Sequence, residues 1–237
     1  MWCLRRRYYC VAQVLLGCIF FLFSVFTLHA ATAVDAENDS PIDAGITAVD
    51  NEDYGEAFSI FSRLAEAGDA EAQYNLAMLY RTGKGVKKDL SAGFKWFAQA
   101  AEQGIPDAQY YLAHMYDNGE AVEKNLSKAF EWYQKAAEQG QGLAQINLGV
   151  MYADGISVPQ NVERAYLWFH AAAAQGYRAA FENRLVIETA LKEQGEDGMA
   201  MLASLKEQAR GYFQKYVQPF APKPMPSSSR RAPLVGH

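Results

Sequence analysis

Hydrophobic positions along this chain repeat with two periods at once. At short range, Ala72, Leu76, Leu79 and Tyr80 fall on one face of a 3.6-residue helix, and Leu90, Gly93, Phe94, Phe97, Ala100 and Ala101 do the same. At long range the pattern returns every 36 residues: Ala72, Ala108, Ala144; Leu76, Leu112, Leu148; Tyr80, Tyr116, Tyr152; Trp96, Trp132, Trp168. A helical period nested in a fixed repeat of between about 20 and 50 residues predicts a stacked array of two-helix units.

Polar and glycine positions punctuate the same register. Gly83, Gly119 and Gly155 follow the first helix of each unit, and Gly104, Gly140 and Gly176 follow the second, where a left-handed cap favours a residue without Cβ. Asp89, Asn125 and Asn161 precede the second helix and are strong N-cap types. Complete units therefore span 69–104, 105–140 and 141–176. Upstream, 40–68 reads as a partial unit, with helices over Pro41 to Asp50 and Tyr54 to Ala67, and Ser40-Pro41 with Asp43 as a helix start. Downstream, 177–217 reads as a degenerate capping pair, Tyr177 to Leu191 and Met199 to Val217. Terminal units of an array are atypical because one side faces water.

Within the units, small residues recur where helices must approach: Ala77, Ala113 and Gly149 on the first helix, and Ala101, Ala137 and Ala173 on the second. Phe97, Tyr133 and Phe169 are expected to fill the groove inside a unit, and Trp96, Trp132 and Trp168 to contact the next unit.

These residues resemble the Sel-one-like repeat family, a relative of the tetratricopeptide repeats. Ala72, Leu76, Tyr80, Gly83, Gly85, Val86, Trp96, Ala100, Ala101 and Gly104 match its pattern, and the next two units follow closely. They depart at the second loop glycine, replaced by Ala121 and Ser157, which puts the tightness of that loop in question. The resemblance implies an all-α fold, a right-handed superhelical solenoid of helix pairs, acting as an adaptor for other proteins with no catalytic residues and no cofactor. Some family members carry disulfides between paired helices, and the array here has no cysteine. Exported bacterial members serve in envelope signalling, polysaccharide secretion or host contact, and the resemblance does not choose among them.

The ends change the picture of where such an array would work. Arg5, Arg6 and Arg7, the apolar run Val11 to Leu28, and Ala31-Thr32-Ala33 predict a signal peptide over 1–33, cleaved after Ala33. A retained membrane anchor is the alternative, since the run reaches the lower length limit for a spanning helix. Residues 34–39 read as a disordered leader, and 218–237, rich in proline and serine, as a disordered tail. All three cysteines lie in the first 33 residues. The segment also removes three arginines and no acid, leaving 19 basic against 27 acidic side chains, a net −8. That balance argues against a nucleic-acid partner, and against a membrane one unless the N-terminal segment is retained. The expected location is periplasmic or secreted, and the expected state is a monomer.

Motif chemistry points away from catalysis. No S-x-x-K, G-x-S-x-G or H-E-x-x-H motif is present, and Gly83-Lys84-Gly85 reads as a helix-ending turn. His114 and His170 lie on different helices without further ligands at metal spacing. The favoured function is a non-catalytic scaffold that binds a protein or peptide partner; the alternative is an enzyme, or enzyme subunit, that binds cell-wall glycan or peptide.

The relationship to tetratricopeptide arrays also implies a binding face. Two and five residues before the packed Leu, and two and five after it, line the inner surface of such arrays. Here those are Glu71, Tyr74, Met78 and Arg81; Asp107, Tyr110, His114 and Asp117; and Leu143, Ile146, Val150 and Ala153. The third set is apolar throughout, and if exposed it forms a patch suited to an apolar stretch of a partner or to the chain's own tail, Phe220 or Met225.

Overall fold

The computed structural model describes residues 40–220. The expected signal peptide, the leader and residues 221–237 of the expected tail lie outside them. Ten α-helices and one 3-10 turn make up the described residues, with no strand among them. The first pair is α1 (Pro41–Asp50) and α2 (Tyr54–Glu66). The repeats follow as α3 (Ala70–Thr82) with α4 (Leu90–Glu102), α5 (Pro106–Asn118) with α6 (Leu126–Glu138), and α7 (Gly142–Asp154) with α8 (Val162–Ala174). The last pair is α9 (Arg178–Glu193) and α10 (Glu196–Tyr216). Each helix through α9 packs mainly on its neighbours in sequence, so the fold is an all-α solenoid of helix pairs.

Local chemistry sets the boundaries. Asp89 accepts from the backbone N–H groups of Ser91 and Ala92, Asn125 from Lys128, and Asn161 from Arg164, each closing the start of a second helix. Gly83, Gly119 and Gly155 end the first helices with φ of 75°, 74° and 71°. The loops then keep one conformation despite the changed residue: Gly85, Ala121 and Ser157 all have positive φ, at 69°, 61° and 64°. Glycine is needed only at the first. A Cβ on Gly85 would run into the backbone carbonyl of Tyr54, whereas Ala121 and Ser157 are exposed.

Three kinds of contact recur with the 36-residue period and join the pairs. Phe58, Phe94 and Phe130 each meet Tyr80, Tyr116 and Tyr152 of the following helix edge-on, with ring centroids 5.6, 5.5 and 5.5 Å apart. Phe97, Tyr133 and Phe169 are buried inside their units as expected, Phe169 against Gly149. A buried glutamine ladder is the third. Gln73, Gln109 and Gln145 donate to the carbonyls of Ala65, Ala101 and Ala137 at 3.2, 3.1 and 3.1 Å. They accept in turn from the side chains of Gln103, Gln139 and Gln175 at 2.7 to 2.9 Å. A buried amide is tolerated when both its donor and its acceptor are used.

The tryptophans contact the next unit as expected, but are buried unequally. Trp96 and Trp132 are half-buried between successive clusters, and Lys135 lies 3.9 Å above the Trp132 ring. Only Trp168 is buried, at 4 % exposure, and its neighbours are Tyr212 and Tyr216 of α10. The tryptophans therefore join successive units alongside the recurring Phe–Tyr pairs.

The C-terminal pair breaks the pattern. α10 turns back across α9 at Gly198, close against the Leu191 carbonyl, and packs more on α8 than on α9. Its end reaches unit three, where the Tyr216 carbonyl accepts from Gln145 at 3.2 Å. The tail expected to begin at Gln218 instead starts with a 3-10 turn, Gln218–Phe220, anchored by buried Val217 and by Phe220 lying on Gly140.

Candidate binding surface

The twelve positions expected on the inner face sit on α3, α5 and α7, and side chains of the first two helices meet there. Tyr74 on α3 is tilted 6.2 Å from Tyr111 on α5, and Tyr111 stacks on Phe97 at 5.2 Å. Tyr110 touches Tyr111, His114 and Tyr133, at 5.2, 6.2 and 6.0 Å. Arg81 places its guanidinium 4.9 Å over the Tyr111 ring. The result is a continuous aromatic belt across units one and two, with Tyr74, Tyr110 and Tyr111 each half-buried.

Carboxylates border the belt. The Tyr133 hydroxyl donates to Asp117 at a long 3.5 Å, and the Gln141 amide to Asp107 at 3.3 Å. Burial, followed by the charge of Asp107, raises the Tyr74 hydroxyl to about 12, so it stays a neutral donor throughout the accessible pH range. Burial raises Tyr133 further and Tyr110 less far. His114 bonds to the Asn118 amide at 3.1 Å and lies 4.0 Å from the Glu120 carboxylate. Met78 is half-buried against the cluster between units one and two.

Unit three differs from the expected open patch. Leu143 is 39 % exposed, but Ile146, Val150 and Ala153 are half-buried against the cluster of units two and three. Their helix pair brings them down onto the core, so only part of each side chain is free. The larger apolar exposure lies one period on, on α9, where Phe181, Leu185 and Val186 are 49, 45 and 69 % exposed. A shallow groove beside Leu185 and Val186 is completed by Glu182, Thr189, Ala190 and Glu193. Tyr177, lying against Gly142, fills the step between α7 and α9.

Sequence reasoning missed Tyr111 and the α9 residues. Tyr111 replaces Asn75 and Asn147 at its register position, so the periodic comparison marks it as variable rather than as part of the face. Val186 does occupy the position of Met78, His114 and Val150, and carrying the register one unit further would have found it. Among the described residues no group of three or more His, Cys, Asp or Glu is arranged to hold a metal ion, and no helix is long and apolar enough to cross a membrane.

A family model described as the Sel1 repeat matches residues 45–69, 70–105, 106–141 and 142–177. Among solved structures, a Sel1 repeat protein from Oxalobacter formigenes is 31% identical, with a TM-score of 0.59, over 62% of this chain and 59% of that one. A protective antigen of uropathogenic Escherichia coli strains displaying an SLR fold is 27% identical, with a TM-score of 0.49, over 68% of this chain and 41% of that one. Helicobacter pylori cysteine rich protein B is 22% identical, with a TM-score of 0.45, over 55% of this chain and 93% of that one. The chain thus spans less than two thirds of the first two relatives. No curated protein matches it.

Proposed function

Because the chain belongs to the Sel1 repeat family, we propose that it is a non-catalytic scaffold that holds a partner protein or peptide on the face formed by α3, α5 and α7, in the periplasm or outside the cell. Sel1 repeats in general mediate protein–protein interaction, and proteins built from them are in general interaction scaffolds rather than enzymes. The observation that carries the choice of face is the aromatic belt. Tyr74, Tyr110 and Tyr111 join two units, yet each is only half-buried. Tyrosines that combine apolar area with a hydroxyl and few rotatable bonds are the residue type that concentrates binding energy.

The location rests on the basic, apolar and A-x-A features of residues 1–33. Mass spectrometry of the native protein tests it: a mature N-terminus at Val34 is the expected result, and an intact Met1 on a membrane-bound chain refutes cleavage. The face is tested by photo-crosslinking in cells. A crosslinking residue at position 143, on the exposed edge of the face, is expected to capture a defined partner, whereas one at Gln99, exposed on α4, is not. Capture only from position 99 would refute this face.

A further inference from the structure

We propose that the partner segment is cationic at one end and apolar at the other, its Lys or Arg side chains entering the Tyr74–Tyr110–Asp107–Asp117 half of the face and its apolar residues lying along Leu143, Val150 and Val186. This reading rests on the binding face of the preceding subsection and names what that face would select.

Charge supplies the first argument. Glu71, Asp107 and Asp117 stand on the tyrosine half, while Glu182 of α9 is paired with Arg178 at 2.7 Å. Arg81 is the one fixed cation among the expected face positions, and it is already engaged over Tyr111. The face therefore carries an excess of carboxylates beside aromatic rings, the environment that attracts an ammonium or guanidinium group.

Cation–tyrosine contacts elsewhere in the chain supply the second. Lys84 lies over Tyr54 at 4.5 Å, Lys128 over Tyr116 at 5.1 Å, Arg164 over Tyr152 at 5.3 Å and Lys215 over Tyr216 at 4.6 Å. Tyr74 and Tyr110 have ring and histidine neighbours, and the nearby Arg81 lies over Tyr111 rather than over either of them. The Asp107 carboxylate of α5 stands beside Tyr74. Tyrosine rings are thus surfaces on which this chain already seats Lys and Arg, and the rings of Tyr74 and Tyr110 carry none of its own.

The apolar half continues where the register carries it. Val150 leads, 36 residues on, to Val186, and Leu185 stands beside it. In the three preceding units the position of Leu185 holds Ala77, Ala113 or Gly149 and is covered by the second helix. α10 has turned back onto α8, so Leu185 is uncovered. Four first helices about 10 Å apart span about 30 Å, which an extended segment of about 10 residues crosses.

Selection of a random dodecapeptide library on the immobilised full chain tests the proposal. Enriched peptides are expected to carry at least two Lys or Arg separated by several residues from an apolar cluster. Capture of those peptides should fall at least tenfold on Asp107→Asn/Asp117→Asn, and likewise on Val186→Lys, a change at an exposed side chain, with the fold checked as intact by circular dichroism. Enrichment of acidic or uniformly polar peptides that Tyr110→Ala still abolishes would overturn this charge reading while leaving the binding face in place. Peptides whose capture ignores every one of these substitutions would overturn the face itself. Crosslinks from position 143 to residues 221–237 of the same molecule, or a dimer in sedimentation that Val186→Lys dissolves, would overturn the proposal in favour of the chain's own tail or a second copy.

Discussion

Units one to three and the C-terminal pair occupy the same register but solve the packing problem differently. In the regular units, a Leu at the centre of the first helix is buried, a Gln beside it holds the ladder, and a Tyr one turn on meets the preceding Phe. In α9 those places belong to Arg184, Phe181 and Glu188. The Phe–Tyr contact becomes a hydrogen bond from the Tyr166 hydroxyl to Glu188 at 3.1 Å, and Arg184 sits 3.4 Å from that carboxylate and 3.3 Å from His170. Apolar seams with a satisfied amide ladder can be repeated indefinitely, because each unit presents to the next what it received. The polar seam ends the series: α9 offers no second Leu–Gln–Tyr set, and α10 returns to cover the rear of α8.

That covering function predicts the largest effect. Trp168 is the one fully buried tryptophan of the three and holds α10 through Tyr212 and Tyr216. Trp168→Ala is expected to destabilise by about 4 kcal/mol. The equivalent Trp132→Ala in the middle of the array, where the ring is half-buried, should cost about 2 kcal/mol. Urea unfolding of the two variants decides it. Equal midpoints would mean that the terminal pair adds no more to the seam than an ordinary unit.

Breaking the ladder comes next. Gln109→Leu removes one of two bonds to the Ala101 carbonyl, which keeps the Gly104 N–H, and leaves the Gln139 amide only a long 3.5 Å contact to Lys135, for a cost of about 2 kcal/mol despite the gain in apolar character. Phe181 occupies the same register position in α9, is exposed and has no ladder to join, so Phe181→Gln should change the unfolding free energy from the same urea titration by less than about 0.5 kcal/mol. A Gln109→Leu variant as stable as wild type would show the ladder to be dispensable.

The comparison also explains what could be read in advance. The helix pairs, their caps and the filling of each unit follow from local rules applied at a fixed period, so Asp89, Gly83 and Phe97 were legible. The buried glutamines were not, because a single Gln at helical spacing reads as a solvated position until its partners eight residues before and thirty residues after are known. The face was half legible. Tyr74, Tyr110 and Arg81 follow from the register. The exposure of Leu185 depends on how α10 folds back, a long-range event that no window of sequence encodes.

A gain in stability of about 1 kcal/mol is expected from Ala121→Gly, which relieves a side chain held at φ 61° in an exposed loop. Gly85→Ala, the same exchange reversed one unit earlier, should be strongly unfavourable because of the Tyr54 carbonyl. Melting temperatures moving in opposite directions would show that the short loop of the N-terminal pair, rather than the repeat pattern, fixes the glycine. Two shifts of the same sign would refute it.

The smallest expected effect is with pH, and it separates the two regions directly. Burial, and then the charge of Arg184, hold His170 below its ordinary value of 6.5, while Glu188 opposes them. The stacked Tyr166 ring, 6.2 Å away, closes the site. A histidine depressed in the folded state takes up its proton more readily when unfolded. The unfolded chain is therefore favoured as pH falls through about 6.5 toward the folded value, and no change is expected on the alkaline side. Since the polar seam lies only between α8 and α9, the loss should be local. Hydrogen exchange at pH 7.5 and pH 5.5, corrected for intrinsic rates, is expected to show reduced protection in α8, α9 and α10 with α3 to α6 unchanged. His170→Gln should abolish the difference. Protection lost equally along the whole array, or lost in the His170→Gln protein as well, would mean that acid acts on the carboxylates of the array at large and that the terminal seam is no more sensitive than the repeats.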